Sequence, residues 1–138
     1  MAEKILEVEM VTPEKISFRE PADFVVIPAF QGELGVLPEH APSLVQLKVG
    51  EVRVTKGGQV HHFAISGGFA EIKKNKISLF AETAEMADEI DAERARQAFE
   101  RAKAETLKPG LDPLTMAGAE AAMRRAQIRL QVASKRSR

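Results

Sequence analysis

Up to Asp88, apolar and polar residues alternate in short runs separated by Gly and Pro, as in Lys4-Ile5-Leu6-Glu7-Val8-Glu9-Met10-Val11. Beyond it the apolar residues recur at three- and four-residue spacings among many Ala and Arg. A period of two belongs to a half-buried strand and one of about 3.6 to an amphipathic helix. The chain therefore divides into a β unit, residues 1–87, and a helical unit, residues 88–138.

Alternation predicts strands over Ile5–Val11, Lys15–Phe18, Asp23–Ile27, Gly35–Leu37, Leu44–Lys48, Glu51–Thr55, Val60–Ser66, Phe69–Ile72 and Lys76–Ala81. Pro13, Pro21, Pro28, Gly57-Gly58 and Gly67-Gly68 stand between them as turn formers, through fixed or permissive φ. Many short strands with closely spaced turns predict an antiparallel sandwich or a flattened barrel.

In the helical unit, Asp88 and Asp91 are both candidates to open the first helix, where a carboxylate accepts backbone N–H bonds and meets the positive dipole end. Ala95, Phe99, Ala102 and Thr106 then form a narrow stripe. Lys108-Pro109-Gly110 ends that helix and Asp112-Pro113 starts a second, expected to run to about Ser134. Leu114, Ala117, Ala121, Ile128 and Val132 are expected on one face, with Arg124, Arg125 and Arg129 beside it. The short connection makes the pair an antiparallel hairpin. Its Ala-rich seam buries little area, since each missing CH₂ forgoes about 0.8 kcal/mol, so the hairpin is expected to leave its docked position easily.

Composition narrows the class. At 138 residues, 44% hydrophobic and 29% charged, the chain reads as a soluble globular protein. No apolar run approaches the roughly 20 residues of a membrane span, and no secretory signal opens the chain, so a cytosolic location is expected. The absence of Cys removes disulfides and thiolate metal sites. A net charge of zero conceals 9 Lys+Arg against 13 Asp+Glu in residues 1–88 and 11 against 7 in residues 89–138. A basic helical unit on an acidic base can fold back on its own β unit or reach for an acidic partner.

Candidate chemistry is sparse. His61 and His62 point to opposite faces of a strand and His40 lies among prolines, so no metal site is expected. Gly67-Gly68 precedes a strand, not a helix N-terminus, and no phosphate loop is present. Ser17, Ser43, Ser66 and Ser78 lack a nucleophile elbow, and no catalysis by this chain is expected. Two features each carry two readings. The segment Gly32–Pro42 is either a compact loop whose Leu34 and Val36 cap the core, or a rigid turn that projects Glu33-Leu34 as a docking point. Asp91, Arg94, Arg101, Arg124, Arg125 and Arg129 are either a solvated basic face or converging forked donors for phosphate oxygens.

Taken together, Val11-Thr12-Pro13-Glu14, Gly32-Glu33-Leu34-Gly35, Pro38-Glu39-His40-Ala41-Pro42, Ser66-Gly67-Gly68-Phe69-Ala70-Glu71-Ile72 and Ile90-Asp91-Ala92-Glu93-Arg94-Ala95 resemble the epsilon subunits of F-type ATP synthases over nearly the whole chain. The resemblance implies an α+β protein: an antiparallel β-sandwich of about ten strands, then a C-terminal antiparallel two-helix hairpin. It implies a non-catalytic subunit of the central rotor stalk, peripheral on the cytoplasmic face of a bacterial plasma membrane. The sandwich binds the gamma subunit in that family. The loop matching Gly32–His40, with Glu33, Leu34 and His40, faces the membrane ring of c subunits. Glu39 departs from the family, which often has Gly before His-Ala-Pro.

The family's hairpin lies folded on the sandwich or extends into the catalytic head, where it approaches the beta and alpha subunits and inhibits ATP hydrolysis. In some bacterial members the folded hairpin binds ATP as a regulatory ligand without hydrolysing it. Ile90, Asp91, Arg94 and Ala95 match the motif that does so, Arg101 matches the next arginine and Glu85 an upstream acid. Arg125 and Arg129 match the second-helix arginines if one residue is inserted between the helices, with Arg124 competing. The alternative is a small nucleic-acid-binding module built on Arg124, Arg125, Arg129, Lys135, Arg136 and Arg138, against which stand 5% aromatic residues and an acidic β unit.

Overall fold

The computed structural model describes residues 4–136, among which the alternating segments form eight strands. These are β1 (Leu6–Val11), β2 (Ile16–Ala22), β3 (Phe24–Ala29), β4 (Gly32–Val36), β5 (Ser43–Lys56), β6 (Gln59–Lys73), β7 (Lys76–Ala81) and β8 (Ala84–Met86). A 3-10 turn, Ala87–Glu89, leads into helices α1 (Ala92–Thr106) and α2 (Pro113–Ala133). The strand order is β2-β1-β7-β6-β5-β3-β4, with β8 also on β6. Neighbours are antiparallel except β1 and β7, a parallel pair that distance in sequence permits because no tight turn joins it.

The strands are fewer and longer than the alternation suggested. Gly67-Gly68, read as a turn, lies inside β6 with φ of 112° and 130°. Gly68 is crowded as well as twisted: a Cβ there would come within 2.0 Å of the Phe80 carbonyl oxygen. Gly50 likewise sits inside β5, where a Cβ would meet Pro28 Cβ at 2.6 Å. The β5–β6 register holds from Ser43↔Ile72 to Lys56↔Gln59 across that region. On the other side of β6, β7 pairs from Gly68↔Ala81 and β8 from Ile65↔Ala84, separated only by Glu82-Thr83. At this level β6 changes partner from β7 to β8, and the pairing of β5 with β3 shifts register. Phe18 of the edge strand β2 meets Phe63 of β6 edge to face at 4.9 Å, although β1 and β7 lie between them in the sheet order. The sheet has therefore folded over on itself as a sandwich. Period-two positions from both halves, including Leu6, Val8, Met10, Val25, Ile27, Val52, Val54, Ile72, Ile77 and Leu79, fill its interior.

Asp91 is the residue that opens α1: its Oδ1 accepts the Arg94 N–H at 3.0 Å, while Asp88 lies in the preceding turn. Pro113 takes the first position of α2. In the helix seam Ala95 and Ala102 are buried and Phe99 and Thr106 half-buried, the stripe expected from spacing. The face of α2 differs from expectation. Ala119, Ala126, Val132 and Ala133 are buried, whereas Leu114 is 82% exposed and Ala117 is exposed. Val132 is buried and Ala121 and Ile128 are half-buried as expected, but apolar residues spread round this helix, so spacing alone did not separate the covered face from its first turn. Helix α2 packs on β5, β6 and the 3-10 turn. There Ala64, Ala87, Ile90, Val132 and Ala133 form a small second cluster, joined by half-buried Ile128.

Candidate functional site

A cavity of about 610 Å³ lies between the hairpin and the outer face of the sandwich, a size ordinary for small-molecule sites. Ala64, Ile65, Ala98, Ala122, Ala126 and Ile128 give it apolar walls, and Glu82, Glu85, Arg125 and Arg129 supply charge. The sheet contributes Glu85 because β8 continues along β6, and α2 contributes both arginines because they lie four residues apart. Arg129 is held to Glu85 by two hydrogen bonds, Nε to Oε1 at 2.7 Å and Nη2 to Oε2 at 3.1 Å. Arg124 and Arg125 are both exposed, but only Arg125 lines the cavity. Apolar walls beside a forked cation suit a ligand that is part apolar and part anionic.

The other expected contacts are placed differently. Asp91 is engaged as the α1 cap, and Ala95 is fully buried. Ile90 is buried in the second cluster, and its carbonyl accepts Arg136 Nη2 at 2.7 Å. Arg94 and Arg101 are exposed and are not among the lining residues; they stand four and three residues from Ala98, on the face of α1 that supplies it.

Sequence reading missed a second polar constellation at the end of α2. Lys135 Nζ lies 2.9 Å from both carboxylate oxygens of Glu51, a side chain only 5% exposed. Arg53 Nη1 donates to Glu51 Oε1 at 2.9 Å and to Glu33 Oε2 at 2.9 Å, and His62 Nδ1 lies 3.1 Å from Glu51 Oε2. Burial pushes the Glu51 carboxyl up, but hydrogen bonds from Lys135, Arg53 and His62 outweigh it and hold the group below its ordinary value. The outward parity of Glu51 relative to Val52 and Val54 was visible, but not that α2 covers that face.

At the Gly32–Pro42 segment, Glu33 and Leu34 are not at a turn tip: they belong to β4, paired to Pro28 and Ile27. The turn is one step earlier, at Phe30-Gln31. Gly32 tolerates φ of 130° and so continues the ladder instead of breaking it. Leu34 packs on the core and Glu33 faces out to Arg53. The exposed apolar residues near it are Phe30 at 60% and Leu44 at 71%. His40 Nδ1 lies 2.7 Å from the Ala41 carbonyl oxygen, after a turn in which Glu39 takes a φ of 68°. Among the described residues no His/Asp/Glu group suits a metal ion, and no helix is long and apolar enough to cross a membrane.

Lys135 and Arg136 both have intramolecular partners, so two of the cations expected of a nucleic-acid surface are already engaged. A sandwich followed by a helical region is also the domain order of two family models that match the chain. They describe the beta-sandwich domain of the ATP synthase delta/epsilon chain, over residues 5–87, and its long alpha-helix domain, over residues 88–134. The chain belongs to this delta/epsilon family of ATP synthase subunits. Its curated relatives are epsilon chains. It is 47% identical to the ATP synthase epsilon chain of Desulforamulus reducens, over 96% of this chain and 95% of that one. It is 48% identical to that of Geobacter metallireducens, over 100% and 99%. A chain of the Euglena gracilis mitochondrial ATP synthase, solved as the OSCP/F1/c-ring assembly in rotational state 1, superposes with a TM-score of 0.82 at 26% identity, covering 97% of this chain and 84% of that chain. One from the Tetrahymena thermophila central stalk and c-ring, at 21% identity and a TM-score of 0.55, shares the fold.

Proposed function

We propose that this chain is a non-catalytic rotor subunit of the F-type ATP synthase, peripheral on the cytoplasmic face of the bacterial plasma membrane, with a hairpin that regulates ATP hydrolysis. In this reading residues 1–87 dock on the gamma subunit and, through Glu33, Leu34 and His40, on the ring of c subunits. Residues 88–138 leave the sandwich to reach the beta and alpha subunits. The single observation that carries the regulatory part is the 610 Å³ cavity closed by the hairpin on one side and the sandwich on the other. A ligand there bridges both units and so favours the folded hairpin alone.

ATP is the ligand proposed, with Arg125 and Arg129 on its phosphates and Glu85 at the cavity edge; Arg94 and Arg101 reach it from the rim of α1, whose start is fixed by Ile90, Asp91 and Ala95. It is bound and not hydrolysed. Binding stabilises the folded hairpin by RT ln(1 + [ATP]/Kd), about 2.7 kcal/mol at a hundred times Kd. That is comparable to fully burying one large apolar side chain, about 1.5–3 kcal/mol, and α2 brings only Ile128, Val132 and Ala133 to the apolar cluster it shares with the sandwich. The test is the assembled enzyme with and without residues 89–138. Removal is expected to raise ATP hydrolysis and abolish its dependence on ATP bound to this subunit; unchanged hydrolysis would refute the regulatory role.

A further inference from the structure

We propose that Lys135, Glu51, Arg53 and Glu33 form a charge relay through which a basic partner surface engaging Glu33 on β4 loosens the docked hairpin. This rests on the reading of the hairpin as mobile. The four groups alternate in sign, with Nζ of Lys135 at 2.9 Å from Glu51, and Nη1 of Arg53 at 2.9 Å from both Glu51 and Glu33. One nitrogen of Arg53 therefore serves two carboxylates. The inner one is 5% exposed and the outer one 59% exposed, beside Phe30 and Leu44. The ends of the relay lie on different units: Glu33 on the sandwich and Lys135 just past α2.

With Glu33 in place the chain is neutral, two cations against two anions. When a cationic partner draws Glu33 away, Arg53 and Lys135 both face one buried carboxylate, which His62 also approaches at 3.1 Å. Arg53 is fixed in β5, so the cation that yields is Lys135, and with it the last turn of α2. Like charges around a single low-dielectric anion disfavour one another, and a partner's differential contact with Glu33 is then felt at the hairpin.

Hydrogen–deuterium exchange of the full chain tests this, comparing wild type, Glu33→Gln, Lys135→Gln and the double variant, with β6 amides reporting an intact fold. Each single substitution is expected to speed exchange of the α2 amides 128–134 about two- to fivefold, the range of partly exposed ion pairs. The double variant is expected to be no faster than Lys135→Gln alone. Wild-type exchange in Glu33→Gln alongside faster exchange in Lys135→Gln overturns the relay but leaves the mobile hairpin standing. So do effects that multiply in the double variant. If α2 exchanges as slowly as the central strands in every one of these variants, the mobile hairpin falls and the relay with it.

Discussion

Arg129 on α2 grips Glu85 on β8 in a two-point fork, at 2.7 and 3.1 Å, across 44 residues of sequence. It ties the two units together at the edge of the cavity. Arg129→Ala leaves Glu85 without this partner in a half-buried setting. Charge-assisted hydrogen bonds contribute about 1.5–3 kcal/mol, and with both side chains about a third exposed the lower end applies. Hydrogen exchange of α2 is therefore expected to speed about tenfold with the sandwich unaffected. Exchange at the wild-type rate would show that the fork contributes nothing to docking.

Arg125 and Arg124 are adjacent in sequence but differ in place, one lining the cavity and the other outside it. Calorimetry with ATP is expected to show Arg125→Ala weakening binding by about tenfold or more, from lost hydrogen bonds to phosphate, and Arg124→Ala changing it less than about twofold. A greater loss from Arg124→Ala would shift the register of the site by one residue.

The carboxyl of Glu51 is held below its ordinary 4.5, because hydrogen bonds from Lys135, Arg53 and His62 exceed the opposing effect of burial. A carboxylate depressed in the folded state stabilises it fully above the unfolded value and loses that contribution as pH falls through the lower folded value. Glu51 accordingly adds no slope near neutrality and a steep one below about pH 4.5. In urea unfolding followed across pH, Glu51→Gln is expected to flatten that acid limb. An unaltered limb would assign it to other depressed carboxylates such as Glu39 and Glu93.

Glu39 occupies a left-handed conformation at φ 68°, which Gly adopts without steric cost. Its N–H donates to Asn75 Oδ1 at 3.0 Å and its carboxylate meets Lys4 Nζ at 2.8 Å. The backbone hydrogen bond survives in Glu39→Gly and the strain of about 1–2 kcal/mol is relieved, offset in part by the greater freedom of Gly in the unfolded chain. A melting temperature higher by about 2–4 °C is expected in a calorimetric scan. A lower one would mean that the Lys4 contact outweighs the strain.

What the sequence made legible was whatever local chemistry determines. Asp91 and Pro113 mark the helix starts, and the Ala95–Thr106 stripe lies in the seam, because caps and helical spacing act within a few residues. The continuity of β5 and β6 was hidden, since Gly50 and Gly68 look like breakers and are instead close-approach points against Pro28 and Phe80. At the candidate site, Glu85, Arg125 and Arg129 were recognisable through the resemblance and line one cavity. Glu51 and Lys135 were not, because a carboxylate at an outward position reads as solvated until a helix 84 residues on comes to cover it.

The continuity of β5 and β6 past Gly50 and Gly67-Gly68, where β6 passes from β7 to β8, has a mechanical side. In a sandwich of two separate sheets, a twisting load passes between layers only through side chains that can slide. Here β5 and β6 carry unbroken covalent backbone from one layer into the other, laced by one hydrogen-bond register. For a component proposed to ride a turning shaft, that makes the sandwich a stiff coupling, and the compliance of the molecule is left to the hairpin.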